Sequence, residues 1–140
     1  MKSEVLLGSH SVTSEDVIAV ARFDAQVKIA PDALIAVDNA RSHVEALAQS
    51  DAPVYGVSTG FGALANRHIS PEDRTQLQRS LIRSHAAGVG PHVEREVVRA
   101  LMFLRLKTLC SGKTGVRRVV VETMAEMLNQ GITPVVHEFG

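Results

Sequence analysis

The sequence has few of the residues that build disulfide, redox or metal sites. Among its 140 residues there is one cysteine, Cys110, so neither an internal disulfide nor a Cys-x-x-Cys site can form. The six histidines include no pair at His-x-x-x-His spacing, and no His-Glu-x-x-His run occurs. We therefore expect no metal site. Cys110 is interpreted as a small core residue on an apolar helix face.

The sequence also has no excess of positive or negative charge and no long hydrophobic run. Fifteen basic residues balance fifteen acidic ones, so the formal net charge is zero. No basic patch for nucleic acid or an anionic membrane is expected. The apolar run Val5 to Leu7 is too short for a signal peptide, and no stretch of about 18 apolar residues occurs. These features predict a cytoplasmic protein without nucleic-acid or membrane partners.

Most of the chain has helical periodicity, which predicts a mainly α fold. Two short strands are predicted, at Val5 to Leu7 and Val27 to Ile29, and these two strands are expected to pair with each other. Capping residues and glycines place the helix ends. Five helices are predicted: Thr13 to Phe23, starting with a capping box, Pro31 to Ala48, Ser70 to Ala87, Val93 to Cys110 and Gly115 to Asn129.

The last three helices have broad apolar surfaces, which indicates burial from several sides. For the fourth helix, the predicted apolar face consists of Val97, Val98, Leu101, Met102 and Leu109. For the fifth, it consists of Val119, Val120, Met124, Met127 and Leu128.

The segment YGVSTGFG, from Tyr55 to Gly62, places the only tyrosine of the chain among three glycines. Gly56, Gly60 and Gly62 suit a backbone that takes positive φ or passes close to a ligand. Because functional residues concentrate on loops, Tyr55 is a candidate functional residue. The alternative is a tight turn with a half-buried tyrosine. His85, near the end of the third helix, is a second candidate, although a histidine there also suits helix capping.

Other short motifs do not support a nucleotide site or a serine hydrolase. GFGALA, from Gly60 to Ala65, has the spacing of a dinucleotide fingerprint but opens no convincing helix. SGKT, from Ser111 to Thr114, lacks the first glycine of a P-loop. No Gly-x-Ser-x-Gly elbow occurs.

Four segments together resemble the amino-terminal part of the aromatic amino acid lyases. They are YGVSTGFG, LQRSLIRSHAAGVG, EVVRALMFLRLKTLCSGKTGVR and ITPVVHEFG, in this order over nearly the whole chain. The pair Ser84 and His85 favours the histidine ammonia-lyases within this family. The resemblance implies that residues 1–140 are the amino-terminal part of a single lyase domain, a small region with short strands that leads into the start of a long helical bundle. It also implies a homotetramer.

The family's reaction gives roles to the candidate residues. The resemblance implies non-oxidative elimination of ammonia from L-histidine to trans-urocanate, the first step of histidine degradation. It makes Tyr55 the base and His85 a catalytic and substrate-binding residue, which either orients the substrate or helps the amine reach the electrophile. An ordinary tyrosine has a pKa near 10, so N–H groups of the glycine loop are expected to help stabilise a phenolate.

The electrophile of the family is a methylidene-imidazolone group, which forms from an Ala-Ser-Gly tripeptide. No Ala-Ser-Gly occurs in the 140 residues. We therefore expect a chain truncated before the tripeptide and inactive by itself. The alternatives are a tyrosine or phenylalanine ammonia-lyase, an aminomutase of the same family, or a noncatalytic binding or assembly module.

Overall fold

A computed structural model describes residues 2–8, 10–50 and 52–139. The predicted mainly helical fold is confirmed, and no helix among these residues is long and apolar enough to cross a membrane. In chain order the elements are β1 (Glu4–Leu7), α1 (Ser14–Phe23), β2 (Gln26–Ile29), α2 (Pro31–Ala48), a short 3₁₀ helix (Gly62–Leu64), α3 (Pro71–His85), β3 (Val89–His92), α4 (Arg95–Leu109), α5 (Arg118–Asn129) and β4 (His137–Phe139).

The capping box predicted for α1 is confirmed. The Thr13 hydroxyl accepts from the Asp16 amide at 3.3 Å, and the Asp16 carboxylate accepts from the Thr13 amide at 2.9 Å. Lys2 donates to the same carboxylate at 2.6 Å. These bonds lower the pKa of Asp16, with the bond from Lys2 contributing most and the Thr13 amide next.

The two predicted strands do pair. β1 and β2 are parallel, with Glu4 opposite Gln26 and Leu7 opposite Ile29. The side chain of Asn129, at the end of α5, accepts from the Val27 amide at 2.7 Å and donates to the Val27 carbonyl at 3.0 Å. The last residue of α5 thereby satisfies backbone groups of β2.

The hydrophobic core lies in one of two compact units, which comprises Met1–Ser42 and His92–Val136. Side chains of β1, α1, β2, α2, α4 and α5 form it. Cys110 belongs to this core, as predicted, and burial raises the pKa of its thiol to about 11. Its buried apolar members are Val5, Leu7, Ala19, Val20, Ala25, Val27, Ala33, Val37, Val98, Met102, Phe103, Leu106, Leu109, Cys110, Val121, Ala125 and Leu128.

The prediction for the buried face of α4 was partly wrong. Val97 and Leu101 are 42% and 56% exposed, whereas Phe103 and Leu106 are fully buried. The buried side of the helix also contains Arg99. A prediction from apolar periodicity places an arginine on the exposed side of a helix. The predicted buried face of α4 therefore excluded the side that contains Arg99.

The prediction for α5 failed in a similar way, and the helix begins at Arg118 instead of Gly115. Val121, Ala125 and Leu128 are buried, while Val119 and Val120 are exposed. A run of three valines gives no direction to a helical face, so apolarity alone could not select the side with Val121, Ala125 and Leu128.

The second unit comprises His43–Pro91 and His137–Gly140. Its helix α3 starts as predicted, with the Ser70 hydroxyl accepting from the Asp73 amide at 3.3 Å, but ends at His85 instead of Ala87. β3, which pairs with β4, was not predicted. A Cβ atom on Gly90 would lie 2.5 Å from the Phe139 ring, so glycine permits this close pairing where the sequence indicated only a break.

Candidate active site

The glycines of the predicted functional loop are required by its geometry. Gly56 has a φ of +71°, and a Cβ atom there would lie 3.1 Å from the Phe61 ring. A Cβ atom on Gly60 would lie 2.5 Å from the Cβ of Leu64. Gly62 has a φ of +54° and begins the short 3₁₀ helix. The sequence-based inference that these glycines shape the loop therefore has a steric basis at Gly56 and Gly60.

The loop is closed by the segment that follows it. Thr59 and His68 form an isolated antiparallel bridge. The amide of Gly60 donates to the Arg67 carbonyl at 3.2 Å, and the amide of Ile69 donates to the Ser58 carbonyl at 3.0 Å. Backbone hydrogen bonds on both sides of Thr59 thus hold the loop.

Several N–H groups of the loop, and that of Val54 just before it, already have hydrogen-bond partners. The amides of Val57 and Ser58 donate to the Val54 carbonyl, while those of Val54 and Gly56 donate to side-chain hydroxyls. With the bond from the Gly60 amide to the Arg67 carbonyl, five amides between residues 54 and 60 have partners. These five groups do not supply the stabilisation of a phenolate that the glycine content led us to expect.

Tyr55 presents its side chain to solvent. It is 62% exposed, and its ring meets that of Phe61 edge to face, with centroids 5.8 Å apart and planes at 78°. An edge-to-face contact of this kind restricts the orientation of the tyrosine ring. The phenol group is accessible while its ring is held on one side.

His85 is the last residue of α3, and its ring is fixed by groups of the preceding turn. Its Nδ1 lies 2.9 Å from the Leu81 carbonyl oxygen and 3.0 Å from the Ser84 hydroxyl. The Ser84 hydroxyl itself donates to the Leu81 carbonyl at 2.8 Å. Because a carbonyl can only accept, Nδ1 carries the hydrogen. The Nε2 of a neutral ring is then an acceptor.

Tyr55 and His85 line the same open pocket, which has a volume of about 770 Å³. Phe61, Leu81 and Ile82 give it an apolar wall, and Gly62 completes the lining. Sequence reasoning had not assigned this wall. Leu81 and His85 are four residues apart and so lie on one face of a helix. This spacing could have predicted that Leu81 lines the same pocket as His85.

No Asp, Glu, Lys or Arg side chain is among the described residues that line the pocket. In the described ranges there is also no group of three His, Cys, Asp or Glu residues that could hold a metal ion. The arrangement therefore offers a phenol, an imidazole and an apolar wall. These groups suit proton transfer and the binding of a small ring-containing molecule.

A family model and the curated relatives of this chain indicate the same protein family. A family model described as aromatic amino acid lyase matches residues 12–140. The chain is 65% identical to the histidine ammonia-lyase of Streptomyces coelicolor over 136 residues, which cover 97% of this chain and 27% of that protein. It thus spans about a quarter of the length of the curated relatives it matches.

Solved structures show the same fold. The tyrosine aminomutase from Streptomyces globisporus has a TM-score of 0.91 and 35% identity, over 98% of this chain and 26% of that one. The histidine ammonia-lyase from Trypanosoma cruzi has a TM-score of 0.85 and 31% identity, with the same coverage of both chains.

Proposed function

Because this chain belongs to the aromatic amino acid lyase family, we propose that the complete protein carrying it converts L-histidine to trans-urocanate and ammonia. The observation that carries the proposal is that Tyr55 and His85, which are far apart in sequence, line one pocket. Histidine as the substrate is supported by the pair Ser84 and His85 and by relatives named histidine ammonia-lyase. The reaction would begin histidine degradation.

Tyr55 is proposed as the general base. In the elimination, the bond between the β-carbon and its hydrogen breaks, and its electron pair forms the new carbon–carbon double bond as the α-carbon–nitrogen bond breaks. The proton moves to the phenolate oxygen of Tyr55. A weakly acidic β-proton needs a strong, well-positioned base, and a positioned base contributes about 10²–10⁴-fold to a rate. The exposed phenol and the contact with Phe61 support this role.

His85 is proposed to bind the substrate. With its Nδ1–H directed to the Leu81 carbonyl, its Nε2 accepts an N–H from the substrate imidazole or ammonium group. Phe61, Leu81 and Ile82 would contact the faces of the imidazole ring. The substrate carboxylate finds no cationic partner among the described residues of this pocket, so its partner would come from elsewhere in the complete protein.

The family's electrophile, a methylidene-imidazolone, would activate the amine as a leaving group. None of the 140 residues can form it, because no Ala-Ser-Gly occurs among them. The proposed contribution of these residues is therefore proton transfer and substrate binding. No resident metal or nucleotide is proposed.

We also propose that these residues form the amino-terminal part of a single lyase domain in a cytoplasmic homotetramer. Exposed apolar side chains on α4 and α5 support further packing partners, because contiguous apolar surface usually marks an interface. These side chains are Val97, Leu101, Leu104, Val119 and Val120.

The substrate is tested by incubating the complete protein with L-histidine, L-tyrosine and L-phenylalanine and following product absorbance and free ammonia. We expect urocanate and ammonia from L-histidine alone. The likeness to a tyrosine aminomutase makes an aminomutase the second candidate. It would give a β-amino acid without stoichiometric ammonia, and that result would overturn the proposal.

Replacing Tyr55 by phenylalanine tests the base. Tyr55→Phe keeps the ring that contacts Phe61 and removes only the hydroxyl, so we expect kcat for L-histidine to fall by about 10²–10⁴-fold. The matched control is Ser80→Ala, which removes a hydroxyl from the exposed surface of α3, outside the pocket. Turnover of Tyr55→Phe close to that of the control would exclude Tyr55 as the base.

A further inference from the structure

The backbone amides of the residues immediately before and after Tyr55 both donate hydrogen bonds to side-chain hydroxyls of the same loop. The Val54 amide donates to Ser58 Oγ at 2.9 Å, and the Gly56 amide donates to Thr59 Oγ1 at 3.3 Å. The backbone is therefore bonded immediately before and immediately after the tyrosine.

Each hydroxyl also donates to a nearby backbone carbonyl. Ser58 Oγ donates to the Ala52 carbonyl at 3.4 Å, and Thr59 Oγ1 donates to the Gly60 carbonyl at 3.1 Å. Both side chains are buried, although Tyr55 next to them is largely exposed. Buried hydroxyls that both donate and accept favour one local conformation, because losing these bonds while staying buried would leave polar groups unpaired.

The backbone of Ser58 and Thr59 is itself anchored. Their segment bonds to residues 67–69 through the bridge between Thr59 and His68 and the bond from the Ile69 amide to the Ser58 carbonyl. The hydroxyls thus connect a fixed segment to the backbone on either side of Tyr55.

We propose that Ser58 and Thr59 are positioning residues for the Tyr55 phenol: their hydroxyls hold the flanking amides and so fix the place from which the phenol oxygen takes the proton. This inference rests on the proposed function, since the two hydrogen bonds have a catalytic purpose only if Tyr55 is the base. Because an error of about 1 Å in a reacting group can cost about 10²-fold in rate, a local change of loop conformation should reach the chemistry.

Thr59 offers the sharper test, because valine has the same shape without the hydroxyl and serine keeps the hydroxyl without the methyl group. In a complete protein carrying this sequence, we expect Thr59→Val to lower kcat for L-histidine by roughly 10-fold or more, with KM changed less than about 3-fold. We expect Thr59→Ser to retain kcat within about 3-fold. A retained hydroxyl should rescue turnover even where the lost methyl group lowers stability.

A second readout separates positioning from general loss of structure. With L-histidine deuterated at the β-carbon, the isotope effect on kcat should be larger in Thr59→Val than in the wild type and Thr59→Ser, since a displaced base makes proton transfer more rate-limiting. Partial unfolding would lower the active fraction without changing the isotope effect.

The outcomes distinguish this inference from the proposed function. No turnover of any amino acid by the wild-type protein would overturn the proposed function, and this inference with it. Wild-type turnover that Thr59→Val leaves unchanged would overturn the inference alone. Equal losses in Thr59→Val and Thr59→Ser, with an unchanged isotope effect, would also overturn it by assigning Thr59 a packing role.

Discussion

Arg99 is a fully buried charged residue in α4, and its guanidinium binds the carboxyl-terminal ends of two other helices. Nε and Nη2 donate to the Val20 carbonyl at 3.1 and 2.9 Å, and Nη1 donates to the Leu128 carbonyl at 3.1 Å. These carbonyls lie in the last turns of α1 and α5, where helices leave acceptors unpaired. Burial lowers the pKa of Arg99, and the carboxylate of Asp24, 3.0 Å away, opposes that effect.

Replacing Arg99 should therefore be costly. We expect Arg99→Met to lower the free energy of unfolding by about 2–4 kcal/mol, because the buried Val20 carbonyl loses both guanidinium donors while the apolar volume is largely kept. The Leu128 carbonyl loses one donor and still accepts from the Gly131 amide at 3.2 Å. Arg95→Met is the matched control, since Arg95 binds the same Asp24 carboxylate at 2.8 Å from a half-exposed position. Its cost should be at most about 1 kcal/mol. Urea unfolding curves give both values, and equal costs would contradict the role assigned to Arg99.

The sequence indicates Tyr55 and His85 as candidate site residues, but it gives no signal for the residues that bond around Tyr55. A lone tyrosine among glycines and a histidine at a helix end are local signals, so they could be selected from the chain itself. The bonds of Ser58 and Thr59 depend on the path of the loop, and the burial of Arg99 depends on carbonyls far away in sequence. The positioning role proposed for Ser58 and Thr59 and the buried bonds of Arg99 could not be read from residue type.

At the scale of elements, predictions were accurate where local chemistry decides and weaker where packing decides. The capping box at Thr13 and the N-cap at Ser70 fix helix starts through bonds within one turn, and both were predicted. The buried faces of α4 and α5 depend on which neighbours they meet. The pairing of β3 with β4 depends on the ring of Phe139 approaching Gly90, a contact with no local signal.

The amino-terminal end of α1 gives a test with a defined pH dependence. At neutral pH, Asp16→Asn should lower the free energy of unfolding by about 1 kcal/mol, because it removes the charge that accepts from Lys2 and weakens the capping box. Glu15→Gln is the matched control, since Glu15 lies in the same turn but is fully exposed. Its effect should be smaller.

The pKa of Asp16 is lower in the folded state than the ordinary value of 3.8. Its contribution is therefore fully present above that value and is lost as pH falls through the lower folded-state pKa. The difference between wild type and Asp16→Asn should be constant from pH 7 to about 5 and shrink below about pH 4. Urea unfolding curves across this range measure it, and a difference that persists undiminished in acid would exclude a role for the carboxylate charge.

At the scale of the whole molecule, burial is unequal between the two compact units. The hydrophobic core belongs entirely to the unit of Met1–Ser42 and His92–Val136. In the described part of the unit that contains the candidate site, only Ser58, Thr59 and Gly60 are buried, and α3 contributes no buried residue. The candidate site thus belongs to the unit in which few of the described residues are buried.

This difference predicts how the 140-residue chain exchanges its amide hydrogens. A helix as short as α3 is marginal in water without packing, so its local opening should cost little free energy, whereas opening α4 requires exposure of the core. We expect amides of Pro71–His85 to exchange at least about 10²-fold faster than those of Arg95–Leu109, measured by mass spectrometry of proteolytic fragments. Equal protection of both helices in the 140-residue chain would show that the second unit is stable by itself and would contradict this account.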